Sequence, residues 1–290
     1  MPSRAAAALA FAALLTVPFA TCANGADKTY VANSLDNPNV PSGEGDAIFV
    51  VYPGGALEPV GVRRHGKFID PGSSEGGLSD KLRMESNATI ATHGNRVNVI
   101  FGGRVVATVP AKVANGDATI AVPPSLHLSD NVNALASPTL GGRAKSPRRA
   151  PTAGERKAVL AEAAQELGAP SAAKLDVSNL TALDLGHGTA IVGTVNLRGS
   201  GSPRKDKRAF FIAEPGTNAP QFTLFNRQTI TVSEPLLEEV SERLVDAIDL
   251  GDGALSVVTR QIGYDAHTFA IYSRKGEGWK KVYTGGGAAL

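Results

Sequence analysis

Two stretches of this chain carry the same pattern twice. TALDLGHGTAIVGTV, Thr181 to Val195, aligns without a gap to DAIDLGDGALSVVTR, Asp246 to Arg260. Ala182, Asp184, Leu185, Gly186 and Gly188 recur as Ala247, Asp249, Leu250, Gly251 and Gly253. The match fades along the outgoing strand, where Ile191 faces Ser256. After the first copy come the strand-like pieces RAFFIAEP and QFTLFN; after the second come HTFAIYSR and GWKKVYT. A strand, an Asp-Gly turn, a strand and a hairpin, made twice, predict two similar antiparallel units.

The rest of the chain points the same way. Glycine (32) and proline (18) are abundant and aromatic residues make up only 6%, which favours short strands and turns over long helices. AIFVVYPGGALEPVGV, VNVIFGGRVVATVPA and DATIAV read as strands and hairpins of a first domain over residues 47–130. The basic, Pro/Gly/Ser-rich stretch 131–151 reads as a solvated linker, with a polyanion- or surface-binding patch as the alternative. It lacks interleaved aromatics for stacking bases, and the net charge is only +2, so nucleic acid is not the expected partner. Residues 152–290 form the second domain. Thr152 and Glu155 have the spacing of a capping box, Val159, Leu160, Ala163, Ala164 and Leu167 share one helical face, and Gly168 and Pro170 stop the helix. SEPLLEEVSERLV, from Ser233, reads as a short helix or turn running into a strand. The expected fold class is mainly β (α+β): two small antiparallel β domains, the second with two blade-like repeats and at least one packed helix.

The first residues predict export. A basic start, an apolar run from Ala5 to Ala20 and the small residues of ATCANGA have the order of a signal peptide over residues 1–23. The run is shorter than the roughly 20 residues a membrane-spanning helix needs. Cys22, the only cysteine, offers lipoprotein anchoring as the alternative, although Phe19 and Thr21 depart from the usual lipobox. Residues 24–46, rich in Asn, Pro, Gly and Ser, are expected as a disordered leader to a periplasmic or extracellular protein.

In the C-terminal half, Asp249-Leu250-Gly251-Asp252-Gly253, Val257-Val258, Gly263-Tyr264, Phe269 to Tyr272, Trp279 to Tyr283 and Gly285 to Gly287 resemble a module of uncharacterised secreted bacterial proteins with a DLDGDG-type turn. More remotely, the stretch is similar to FG-GAP or VCBS-type propeller repeats. That resemblance implies blade-like sheets and turns that hold calcium through aspartates at positions one, three and five. Here Asp249 stands at position one, Gly251 and Gly253 replace the other two, and Asp252 is out of register; the first copy keeps only Asp184 and places His187 in the loop. Calcium takes six to eight oxygen ligands, and imidazole suits it poorly. Asp249, Asp252 and Asp184 are the metal candidates, and no resident cofactor is expected. An Asp that bonds the backbone two residues on, followed by glycines at positive φ, explains the same residues as a tight turn.

Catalytic signals are sparse. GSSEG, Gly72 to Gly76, has the G-x-S-x-G form of a nucleophile elbow and makes Ser74 the catalytic candidate, but the flanking residues supply neither a good strand nor a good helix start. The five histidines have no ligand spacing, and no acid–base pair is apparent. Tyr264, Tyr272, Trp279 and Tyr283 are candidates for a contact surface, or alternate between core and solvent along a hairpin. The expected function is a secreted or periplasmic non-catalytic binding or scaffold protein, whose partner is an envelope or extracellular protein or glycan. A calcium-dependent adhesion module and a secreted serine hydrolase are the alternatives.

Overall fold

The computed structural model describes residues 41–69, 80–201, 203–214, 221–232, 241–263, 266–276 and 278–289. The chain divides into Met1–Asn37 and Pro38–Leu290, and every described residue lies in the second unit.

The first strands are β1 (Asp46–Val51), β2 (Ala56–Arg64), β3 (Lys67–Phe68), β4 (Arg96–Phe101), β5 (Arg104–Ala114), β6 (Asp117–Ile120) and β7 (Ala134–Ser137). They pair in the order β1-β7-β4-β5-β6-β2-β3, and β1 also pairs β2. Six strands therefore close into a ring in which every pairing is antiparallel, with β3 attached outside it. Closure leaves those six strands without a free edge. Ala47, Phe49 and Val51 of β1 face one cluster with Val97, Val99 and Ala136, whereas Ile48 and Val50 face another. Burial on both sides explains why AIFVV is apolar without alternation. Helix α1 (Asp80–Thr92) adds Leu82 and Ile90 to the first cluster.

Helix α2 (Ala153–Leu167) begins on Thr152, whose side chain accepts the Glu155 N–H while the Glu155 carboxylate accepts the Thr152 N–H. It ends on Gly168 in the left-handed conformation, at φ 67°. Two four-stranded antiparallel meanders follow. The first comprises β8 (Leu175–Asp184), β9 (Thr189–Leu197), β10 (Arg204–Glu214) and β11 (Gln221–Val232). The second comprises β12 (Ser241–Asp249), β13 (Leu255–Ile262), β14 (Ala266–Lys275) and β15 (Gly278–Ala289). Glu242 to Asp249 are thus strand, as the incoming-strand part of the sequence reading expects, and residues 233–240 lie outside the described set.

The packing forms layers. Val159, Ala163 and Leu167 of α2 cover Ala182, Ile191 and Phe211 of the first meander. Its other face, with Leu183, Val192, Phe210 and Ile212, meets Ala247, Leu255, Val257 and Tyr272 of the second. The far face of the second, with Ile248, Val258, Phe269 and Ile271, meets Ile48, Val50, Ile100 and Leu135 of the ring. The second meander is thus buried on both faces, and the fold is mainly β with antiparallel sheets and two α-helices among the described residues.

Residues 131–151, expected as a solvated linker, contribute to every layer. β7 sits between β1 and β4 in the ring. Further on, the Asp249 N–H donates to Gly141 O, the Ala144 N–H to Gly103 O, and Arg149 exchanges two backbone hydrogen bonds with Ala182. A Cβ on Gly142 would stand 2.2 Å from Gly103 O, so only glycine passes there. The clamp at the centre is Asp246. Its fully buried carboxyl accepts the N–H groups of Gly102, Gly103 and Ala247 and faces Arg148 at 3.5 Å, while the Arg148 guanidinium covers the Phe101 ring. One side chain thereby joins the β4–β5 turn, the basic stretch and the second meander.

Candidate functional site

The two aspartate–glycine turns are built alike. Asp184 Oδ1 accepts the Gly186 N–H at 3.0 Å, and Asp249 Oδ1 accepts the Gly251 N–H at 2.8 Å. Gly186, Gly188, Gly251 and Gly253 all have φ between 80° and 108°, where a side chain is strained. The two turns also touch, with the Leu255 N–H donating to Leu185 O.

The remaining carboxylate oxygens face donors. Asp184 Oδ2 accepts the N–H groups of Lys145 and Ser146. Burial pushes the Asp184 carboxyl up, but the three N–H groups and the Lys145 charge outweigh it and hold it below its ordinary value. Asp249 Oδ2 pairs with Arg143 Nε at 3.1 Å. Asp252 lies between Arg63 at 2.9 Å and Lys275 at 3.4 Å. His187 is exposed. Among the described residues no group of three or more His, Cys, Asp or Glu side chains converges. The three candidate aspartates are engaged separately and do not share a centre.

The aromatic candidates are interior, which corrects the expected contact surface. Tyr272 is fully buried between the meanders and its hydroxyl donates to Glu242 Oε1 at 2.7 Å; Trp279 lies in the same cluster. Tyr283 belongs to the cluster against the ring and stacks on Phe68 at 4.4 Å. Packing on both faces of the sheet leaves these three side chains no solvent side. Tyr264 and Ser74 lie outside the described residues.

Asp252 nevertheless leads to a cleft. Its turn, the β2–β3 hairpin and the β14–β15 hairpin surround a space of about 540 Å³. Arg63, Lys67 and Lys275 contribute three cations against the single carboxylate of Asp252, and Phe68 supplies an aromatic wall. Arg63 is fixed twice, by Asp252 and by donating to Leu250 O. The cleft is cationic, partly aromatic and built from three separate elements, so it suits recognition of an acidic group.

One titratable cluster has no sequence signal. Glu58 of β2 receives hydrogen bonds from the Tyr52 hydroxyl and, at 2.8 Å, from His267 Nε2 of β14. Burial first, then the Glu58 charge, push the Tyr52 hydroxyl far above its ordinary value. A Glu–His pair has the elements of a general base. However, His267 Nδ1 is buried without a hydrogen-bond partner among the described residues, so it reaches no cleft where a substrate proton would sit. Glu58 and His267 are 209 residues apart in sequence, and spacing rules do not connect them.

No helix among the described residues is long and apolar enough to cross a membrane. Comparison with protein families, curated proteins and solved structures gives no match.

Proposed function

We propose that this chain is an exported, non-catalytic binding or scaffold protein that takes an acidic group of an envelope or extracellular protein or glycan into the cleft beside Asp252. The observation that carries this reading is the cleft itself, where three cations and an aromatic wall surround one already paired carboxylate. Export rests on the basic, apolar and small-residue order of the N-terminal sequence.

The two meanders are copies of one unit in this reading. Both interrupt their first hairpin near the same aligned position, between Ser178 and Thr181 and between Leu244 and Asp246. Both bond their turn through the same Asp oxygen. The turn-closing pairs are Asp184 with Thr189 and Asp249 with Leu255, so the second turn is one residue longer. Four antiparallel strands per copy are also what an FG-GAP-like, blade-type ancestry requires.

The test is binding of the purified protein to immobilised acidic and neutral glycans at fixed ionic strength. The reading expects retention on the acidic surface, lost in a Lys67→Glu/Lys275→Glu variant that unfolds at the wild-type temperature. Retention unchanged by that variant would reject the cleft as the binding site.

A further inference from the structure

The charges that line the cleft beside Asp252 come from separate elements and do not neutralise one another. Arg63 stands on β2, Lys67 on β3 and Lys275 at the end of β14, while Asp252 belongs to the second aspartate–glycine turn. Asp252 Oδ1 takes Arg63 and its Oδ2 takes Lys275, so one negative charge is shared by two cations. The other Arg63 hydrogen bond goes to Leu250 O, a neutral acceptor. Lys67 is exposed, and its ammonium group has no partner among the described residues. The lining therefore keeps an excess of positive charge, divided between the β2–β3 and β14–β15 hairpins. The Arg63 side chain is 12% exposed and that of Lys275 is 48% exposed, so an incoming anion meets the two lysines first.

The rest of the lining is apolar and oriented. Phe68 stacks on Tyr283 with ring centroids 4.4 Å apart and planes inclined by 26°, which holds the Phe68 ring in place. Ile69 and Val282 extend the apolar surface beside it. A flat apolar wall beside cations matches a sugar ring that carries an acid, because the C–H face lies on the wall while the carboxylate reaches a lysine. A phosphate has no apolar face. An acidic peptide holds its carboxylates on flexible stems, and ordering those stems costs conformational entropy. A stiff ligand on a pre-set wall loses less. The space of about 540 Å³ falls within the roughly 300–1,000 Å³ of sites that take drug-sized ligands, and so has room for more than a single sugar ring.

We propose that the cleft takes two or more consecutive residues of a uronic-acid polysaccharide, with one carboxylate at Lys67, another at Lys275 and a ring face on Phe68. This rests on the reading of the cleft as an acid-binding site, and goes beyond it in requiring two acidic groups on one stiff chain.

Isothermal titration of the full chain with galacturonate, trigalacturonate, maltotriose and triglutamate at one ionic strength tests it. Trigalacturonate is expected to bind saturably, about tenfold or more tighter than galacturonate, because its second acid engages intramolecularly. Lys67→Gln and Lys275→Gln should each weaken it by about threefold or more, the loss of one exposed ion pair. Phe68→Leu should weaken trigalacturonate and leave triglutamate unchanged; if that variant fails to fold, the two lysine variants decide the test. Trigalacturonate no tighter than galacturonate would overturn the need for two acids, and maltotriose as tight as trigalacturonate would overturn the need for any. Triglutamate as tight as trigalacturonate, and equally sensitive to the lysines, would overturn the sugar while leaving the cleft an acid-binding site. Binding of trigalacturonate indifferent to both lysine variants, or no binding of any anionic probe, would overturn the inference and the reading beneath it together.

Discussion

The two meanders share a turn, a strand order and a facing surface, yet they serve different neighbours. The first lies between a helix and its twin, and the second lies between its twin and the closed ring. Thr181 and Asp246 occupy the same aligned position. Thr181 is half-buried and forms an ordinary pair with Val192. Asp246 is fully buried and clamps the β4–β5 turn through Gly102 and Gly103. A local pattern thus fixes the turn, and the outer neighbour decides what the flanking positions become.

The sharpest way to break this comparison is at that aligned pair. Asp246→Ala removes the acceptor of three N–H groups and the partner of Arg148, and is expected to lower unfolding stability by about 3 kcal/mol or more. Thr181→Ala should lie within about 0.5 kcal/mol of wild type. Denaturant midpoints check both, and similar values for the two variants would contradict the asymmetry. A smaller effect, about 1–2 kcal/mol, is expected for Tyr272→Phe, which leaves Glu242 Oε1 with one fewer buried donor.

Acid separates the meanders by sign. Hydrogen bonds from Arg149 hold Glu155 at about 2 against the push of burial. At Asp184 and Asp206 burial acts upward but is outweighed by backbone N–H groups, joined at Asp206 by Arg204, so both carboxyls lie below their ordinary value. A lowered carboxyl contributes stability that is complete above the unfolded value, about 4, and is lost as pH falls through the folded one. Asp246 is the opposite case: burial raises it despite Arg148 and its N–H donors. Its contribution grows as pH falls from its folded value toward its unfolded value. Stability measured between pH 6 and pH 2.5 should therefore fall less steeply in Asp184→Asn than in wild type, and more steeply in Asp246→Asn.

Local chemistry was legible in the sequence and long-range pairing was not. Thr152 and Glu155 announced their helix because a capping box closes within one turn. The aspartate–glycine turns were equally readable, since Asp184 and Asp249 bond only two residues on. Residues 131–151 misled because Gly, Pro and Ser resemble linker composition. Gly142 is there instead because another backbone passes against it, and β7 completes a ring that no local period reveals. The 540 Å³ cleft and the Glu58–His267 pair join residues nearly 200 or more positions apart, so periodicity carried no trace of them. Polar and apolar residues alternate in TVNLR and RKDKRAFF, but only the structure brings Ser241 and Arg243 against them.

A modest change bears most directly on the aspartate–glycine turns. Asp249→Ala loses one turn hydrogen bond and an exposed ion pair, an expected cost of about 1 kcal/mol. Thermal unfolding of wild type and Asp249→Ala, each with calcium and with chelator, separates a hydrogen-bonded turn from a metal loop. The account predicts a modest drop in the variant and the same midpoint with calcium and chelator in both proteins. A calcium-dependent rise in wild type that disappears in Asp249→Ala, about 2.7 kcal/mol at a hundredfold excess over the dissociation constant, would contradict it.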